Sequence, residues 1–349
     1  MEFATEIERK DINEIVNSPY INWHYFFNSA VLVTGATGLI GSAIVKSLIY
    51  ANEILNSNIK IFALVRNKAK AENMFGNSIE YVVQDIVEPL KIQAKIDFVI
   101  HTANSTASKS FVEEPVETIS SIVQGTDNVL CFAKNKKVRS AVYLSSMEVY
   151  GKTDFDRIDP LKENDYGYVD LAEVRSSYPQ GKRLAENLCV AYAKEYNVNV
   201  KVARLVQTIG AGVSYDDNRV FAQFARNIVE AKDIVMHTTG STVRCYCYIT
   251  DAVSAIFALL ERGITGELYN VANEKTVCSI KEMAEMLCKR YTSSKLIFNL
   301  ESSMNNYYLP TLKTVLDSSK LQQLNWRPEI LLEQMFERLV ENFKSLSNN

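Results

Sequence analysis

The stretch Ala30-Val31-Leu32-Val33-Thr34-Gly35-Ala36-Thr37-Gly38-Leu39-Ile40-Gly41 constrains this chain more than any other segment. A short apolar run leads straight into glycines at every third position, and a helical pattern follows over residues 39–55. Such a run suits a buried parallel strand. Gly35 permits a tight turn, Gly38 lets the backbone come close to a bound group, and Gly41 lets the helix pack against the sheet. The first turn of that helix presents unpaired N–H groups and the positive end of its dipole, which together cradle a pyrophosphate. Thr37, Leu39 and Ile40 belong to the same turn and are expected to line the cradle.

Further apolar strands are predicted at residues 59–65, 79–83, 98–101, 141–145 and 200–205, with helical segments between several of them. Alternating strands and helices with β-branched, buried strands predict an α/β fold, a doubly wound parallel sheet of Rossmann type. Beyond about residue 206 the pattern changes to short strands and helices, including 220–229, 251–261 and 279–291. The expected division is an N-terminal helical extension (1–28), a dinucleotide-binding domain (29–210), and a smaller C-terminal α+β substrate lobe (211–349). Some segments of that lobe are expected to return to the first domain. The extension holds a short helix, a Ser18-Pro19 break and the patch Trp23-His24-Tyr25-Phe26-Phe27, and reads as a brace on the core.

A net charge of −3 removes the electrostatic case for nucleic acid or an anionic membrane. The six cysteines have no paired metal spacing, so no metal site is expected, and reduced thiols fit a cytoplasmic setting. The N-terminus lacks the apolar centre of a signal peptide, and no apolar run is long enough to span a membrane.

The Gly-x-x-Gly-x-x-Gly spacing, with three later segments in order, resembles the extended short-chain dehydrogenase/reductase family, the NAD-dependent epimerases and dehydratases of nucleotide sugars. Those segments are Gln84-Asp85-Ile86, His101-Thr102-Ala103-Asn104 and Asn270-Val271-Ala272-Asn273. The resemblance implies that Asp85 and Ile86 lie at adenine, and that Thr102 and Ala103 run along the cofactor. His101 itself reads as a core residue at a strand end. NAD is the expected cofactor, with NADP open. The second strand ends Leu64-Val65-Arg66-Asn67 without a ribose-binding carboxylate, and Arg66 either meets a 2′-phosphate or is a solvated loop charge.

The family's chemistry requires a tyrosine acid/base, a lysine that lowers its pKa, and a hydroxyl on the reacting oxygen. Two Tyr-x-x-x-Lys pairs are at issue, Tyr178/Lys182 and Tyr291/Lys295. The first follows Ser145-Ser146-Met147-Glu148-Val149-Tyr150-Gly151 and opens a helix expected over 183–196, whereas the second closes a helix and has no such partner. By resemblance, Ser146 is the catalytic hydroxyl, Tyr178 the acid/base and Lys182 its partner, with Tyr150 structural. Glu148 matches the carboxylate of family dehydratases and decarboxylases. Met147 cannot protonate a departing hydroxyl.

The segment from Gly240 to Asp251 resembles the family's Gly-x-x-x-Arg-x-x-x-Tyr-Val-x-Asp motif, whose arginine, here Arg244, grips the substrate diphosphate with a planar fork of donors. Arg219 occupies a similar place in decarboxylase-like members. Gln207 stands where an asparagine usually contacts substrate, and Lys313 and Thr314 stand where decarboxylases carry an arginine. The resemblance thus implies redox-neutral chemistry on a nucleoside diphosphate sugar through a 4-keto intermediate, leaning to 4,6-dehydration. A 4-epimerase is the alternative, followed by a uronate decarboxylase, an NADPH-dependent reductase and a non-catalytic dinucleotide sensor. A homodimer is expected, with the helices around 118–133 and 183–196 as its interface.

Overall fold

The computed structural model describes residues 3–104, 109–300 and 312–347. Helix α1 (Glu6–Val16) is followed by β1 (Ala30–Thr34), α2 (Leu39–Leu55), β2 (Lys60–Val65), α3 (Lys68–Phe75), β3 (Glu80–Val83) and β4 (Phe98–His101). The short α4 (Ser110–Glu113), the long α5 (Pro115–Lys136), β5 (Ser140–Ser146), α6 (Ser177–Tyr196) and β6 (Val200–Leu205) come next. The remainder comprises β7 (Gln207–Ile209), α7 (Val220–Val229), β8 (Ile234–Met236), β9 (Val243–Tyr248), α8 (Ile249–Arg262), β10 (Leu268–Val271) and β11 (Asn273–Ser279). After them lie α9 (Ile280–Arg290), β12 (Leu296–Phe298), β13 (Lys313–Thr314), α10 (Ser319–Gln322) and α11 (Leu332–Ser347).

Seven strands form one sheet in the order β3-β2-β1-β4-β5-β6-β10, and every neighbour pairs in parallel. Every residue of β1, β4 and β6 is buried, as expected when helices cover both faces. The order reverses between β1 and β4, and doubly wound sheets bind ligands in the crevice at such a switch point. Strand β9 is the hub of a second sheet, flanked by antiparallel β11 and parallel β13, with β7 also paired to it. Strand β10 belongs to the large sheet although it comes late in the chain.

Helix α6 begins at Ser177, six residues before the helix expected from the sequence pattern. Pro179 and Gly181 obscure its start, yet a proline fits the first turn, where its missing N–H would have had no partner. The extension packs as a brace. Glu8 bonds Lys46 of α2 at 2.5 Å, and Arg338 of α11 bonds Asp11 at 2.9 Å and Glu14 at 2.6 Å. Trp23 and Phe26 insert beside Phe257 at ring separations of 5.0 and 5.3 Å. Burying each such ring contributes about 1.5–3 kcal/mol, enough to hold a segment with little sheet of its own. Among the described residues no helix is long and apolar enough to cross a membrane.

Candidate active site

The glycine-rich turn joins β1 to α2 at the switch point. Gly35 has a φ of +63°, and a Cβ there would lie 2.7 Å from both the Cα and N of Ala103. A Cβ at Gly41 would lie 2.3 Å from the Gly35 carbonyl oxygen. The turn therefore folds back on itself and against the end of β4, which only glycine permits. Gly38 is the N-cap of α2, and no side chain caps the helix there. Its first N–H groups thus remain available to a ligand, the arrangement a dinucleotide pyrophosphate requires.

The end of β4 is tied to the same turn. Thr102 Oγ1 donates to the Thr34 carbonyl at 2.7 Å, and Ala103 N donates to Thr34 Oγ1 at 3.2 Å. The next residue, Asn104, has both amide atoms buried without a hydrogen-bond partner. A buried, unpaired amide beside an uncapped helix is a costly arrangement unless a ligand satisfies it. These features fit the cofactor. Thr37, Leu39 and Ile40 are half-buried in the cradle; Asp85 and Arg66 are exposed at the ends of the neighbouring strands, and Ile86 is buried against α5. Arg66 has no carboxylate partner among the described residues, and Asp85 Oδ1 accepts from Val87 N at 3.1 Å. His101 is a core residue. Its ring lies between Thr34 Oγ1 at 2.7 Å and Thr126 Oγ1 at 3.3 Å, and burial pushes its pKa down to about 3.

Strand β5 delivers Ser146, and the short 3-10 turn after it carries Met147, Glu148 and Tyr150. The first turn of α6 sets Tyr178 and Lys182 one turn apart and both buried. Ser146 faces the Tyr178 phenol closely enough to favour its ionisation, whereas burial and then the Glu148 charge push the phenol above its ordinary value. Lys182 differs from the expected arrangement. Its Nζ donates to the Leu144 carbonyl at 2.7 Å and lies 5.8 Å from the Tyr178 ring centre, and burial pushes its pKa down to about 7. The Arg175 charge also favours the Tyr178 phenolate, after the Ser146 hydroxyl.

Arg175 was not singled out in the sequence. It holds Glu148 in a two-pronged bridge of 2.9 and 3.2 Å. Phe111 of α4, also unforeseen, stacks on the Tyr178 ring at 4.1 Å with 13° between planes. Arg175 stands three residues before Tyr178, and that spacing was the available signal. Nothing local to Phe111 forecasts a contact across 67 residues.

Behind the site, Arg204 of β6 is wholly buried. It bonds Glu186 at 2.7 and 2.9 Å, Tyr150 Oη at 3.0 Å, Tyr166 Oη at 2.9 Å and the Glu163 carbonyl at 2.7 Å. Tyr150 Oη also donates to Asn270 Oδ1 at 2.6 Å, a structural role for this tyrosine. The second pair, Tyr291 and Lys295, lies beyond the last turn of α9 and shares no helix face.

In the second sheet, Arg244 sits in β9 opposite Thr314 of β13. Its Nε is buried without a partner, and it has no carboxylate partner among the described residues. Arg219 is different, because its guanidinium folds onto Asp217 with contacts of 2.6 to 3.1 Å. Gln207 is half-buried in β7. Lys313 Nζ donates to the Arg157 carbonyl at 2.6 Å. Among the described residues no cluster of three or more His, Cys, Asp or Glu could hold a metal.

Residues 31–272 match the NAD dependent epimerase/dehydratase family. UDP-glucuronic acid decarboxylase 1 of Arabidopsis thaliana is 30% identical over 317 residues, covering 90% of this chain and 70% of that one. UDP-glucuronic acid decarboxylase 6 of the same plant is 28% identical over 333 residues, covering 94% and 92%. In fold, the chain is similar to UDP-glucose 4-epimerase of Thermotoga maritima, with a TM-score of 0.77 at 19% identity, covering 91% of this chain and 99% of that one. UDP-glucuronic acid 4-epimerase of Bacillus cereus gives 0.74 at 22% identity, covering 91% and 99%. The extent of the family match, on a strand order and glycine turn of this kind, identifies the chain as a member of the NAD dependent epimerase/dehydratase family of enzymes.

Proposed function

We propose that this enzyme oxidises a nucleoside diphosphate sugar at C4 and then removes the C6 carboxyl group of a uronic acid sugar as CO2. Ser146 would hold the C4 oxygen while Tyr178 takes its proton. NAD, when bound, accepts the hydride from C4 and later returns it. Oxidation turns the uronic acid into a β-keto acid, whose C5–C6 bond breaks with its electrons passing to C5 and the C4 oxygen. Ser146 and the protonated Tyr178 are then the donors for that developing charge. A proton delivered to C5 and the returning hydride complete the turnover without net oxidation.

The observation that carries this reading is the pairing of Glu148 with Arg175 beside Met147. Losing water from C6 requires an acid on the departing hydroxyl. Met147 has no proton to give, and a carboxylate held by two charge-assisted bonds is a poor acid. Loss of CO2 needs no such donor. The decarboxylase relatives support the same choice over dehydration. Arg244, with no acidic partner among the described residues, is the residue proposed to hold the diphosphate, with Arg219 available only by leaving Asp217. We also propose a homodimer built on α5 and α6, which leave Val116, Ile119 and Leu184 exposed; a monomer by light scattering would refute it.

The test is mass spectrometry of UDP-glucuronic acid incubated with the protein and NAD. Loss of CO2 from the sugar is expected. An unchanged mass with altered chromatographic mobility would instead make it a 4-epimerase, and water loss from a neutral hexose would restore dehydration.

A further inference from the structure

Tyr178 can act as a base only as phenolate, and its neighbours decide how readily it ionises. Glu148 approaches from the turn after β5, Arg175 from the 3-10 turn before α6, and Lys182 from α6 itself. From β5 come the hydroxyls of Ser146 and Tyr143, and from α4 the apolar ring of Phe111. One anion, Glu148, therefore opposes phenolate at close range. Lys182 gives one of the three N–H donors of its ammonium to the Leu144 carbonyl, with Nζ 5.8 Å from the Tyr178 ring centre.

We propose that Arg175 is a positioning residue of the active site, whose guanidinium fixes the Glu148 carboxylate and offsets part of the charge it directs at Tyr178. The two-pronged bridge supports this, because a planar fork sets the orientation of a carboxylate as a single ammonium cannot. Both side chains are about three-quarters covered, so the pair is partly sheltered from solvent screening. The guanidinium also lies over the Phe111 ring at 5.6 Å, and that ring is stacked on Tyr178. Ser177 Oγ donates to the Phe111 carbonyl at 2.9 Å and latches α4 to the first turn of α6. Arg175 thus joins the three pieces of chain that enclose the phenol. Burial raises the Tyr178 pKa most, Glu148 raises it further, and Arg175 and Ser146 lower it, which agrees with the geometry.

This role rests on the reading of Tyr178 as the acid/base. The experiment is the pH profile of nicotinamide reduction by UDP-sugar in a single turnover, followed at 340 nm. The proteins are wild type, Tyr178→Phe, Arg175→Met, Arg175→Lys, Glu148→Gln, and Glu148→Gln combined with Arg175→Met. In Arg175→Met the ascending limb should move up by about one pH unit, a roughly tenfold loss of rate on that limb. Arg175→Lys should recover part of the shift, and it remains informative if the methionine variant folds poorly. Adding Glu148→Gln to Arg175→Met should return the limb towards the wild-type position, since no anion is left to offset. A limb that stays in place in Arg175→Met, or stays displaced in the double variant, overturns the role. Reduction that survives in Tyr178→Phe overturns the reading of Tyr178 beneath it, a result separable from either of those.

Discussion

Replacing Glu186 by glutamine tests whether the site stands on the buried pair behind it. Glu186 lies one turn after Lys182 on α6, accepts from Ser145 Oγ at 2.5 Å, and takes two guanidinium bonds from Arg204. Arg204 is inaccessible to solvent, and the Glu186 side chain is only 5% exposed. Glutamine keeps the shape but offers one acceptor and turns an N–H₂ group towards a guanidinium that can only donate. Breaking a buried ion pair from one side costs about 3–5 kcal/mol, because the remaining charge is stranded. With an unfolding entropy of about 2.1 cal/mol/K per residue, a chain of 349 residues loses about 4–7 °C of Tm for that cost. Calorimetry or thermal circular dichroism at neutral pH, with cofactor absent, measures it. Adding Arg204→Met to Glu186→Gln removes the stranded charge and should regain much of the loss, although Tyr150 and Tyr166 then lose a donor. A single variant that melts within about 1 °C of wild type would refute the reasoning, since Arg204 would then have found another counter-charge or water.

Three further outcomes are expected. Gly41→Ala, whose Cβ would meet the Gly35 carbonyl oxygen, should weaken cofactor binding at least tenfold by calorimetric titration while the core stays folded. Arg244→Ala should raise the Kd for a nucleoside diphosphate by about 1.5–3 kcal/mol, the worth of hydrogen bonds to a charged group, whereas Arg219→Ala should change it little because Asp217 already holds that guanidinium; equal losses would contradict the assignment. Asp251 is buried beneath the Glu329 and Ile330 amides, and burial raises its pKa to about 7. The folded state then binds more protons than the unfolded state between the ordinary carboxylate value and about 7, so this group's stabilisation is full below that window and fades as pH rises through it. Tm measured across the window should therefore fall less steeply in Asp251→Asn, and an unchanged slope would remove Asp251 from the account.

The sheet and its crevice were legible because the signals are local. The glycine spacing, the apolar runs and the turn after β5 each carry their meaning within a dozen residues, and β4, β6, α2 and α7 begin and end where the pattern puts them. The start of α6 was hidden by Pro179 and Gly181, residues that depress helix propensity but are tolerated in a first turn anchored by tertiary packing. The motifs place Ser146 at the end of β5 and Tyr178 and Lys182 one turn apart on α6, yet the direction of Lys182 towards Leu144 depends on where β5 passes beneath α6. The bridge from Arg175 to Glu148 across 27 residues and the ring stack of Phe111 across 67 leave no periodic trace, so only the closeness of Arg175 to Tyr178 in sequence pointed to it. Arg219 shows what spacing alone omits: a motif match suggests a phosphate ligand, and the fold also places an aspartate two residues away against that charge.

Strand β10 has a consequence for how the molecule can be made. The large sheet is finished by residues 268–271, and Asn270 within them receives the Tyr150 hydroxyl and donates its N–H to Glu163. On the ribosome, then, more than fifty residues beyond β7 must emerge before β6 has its outer neighbour and the active-site turn its last support. A nascent chain stalled near residue 210 exposes the raw edge of β6, the kind of edge that recruits other strands. The same stitching means that a piece cut near residue 210 lacks the strand that completes its sheet. A ribosome-stalling series should gain protease resistance in the glycine-turn half only once β10 has cleared the exit tunnel.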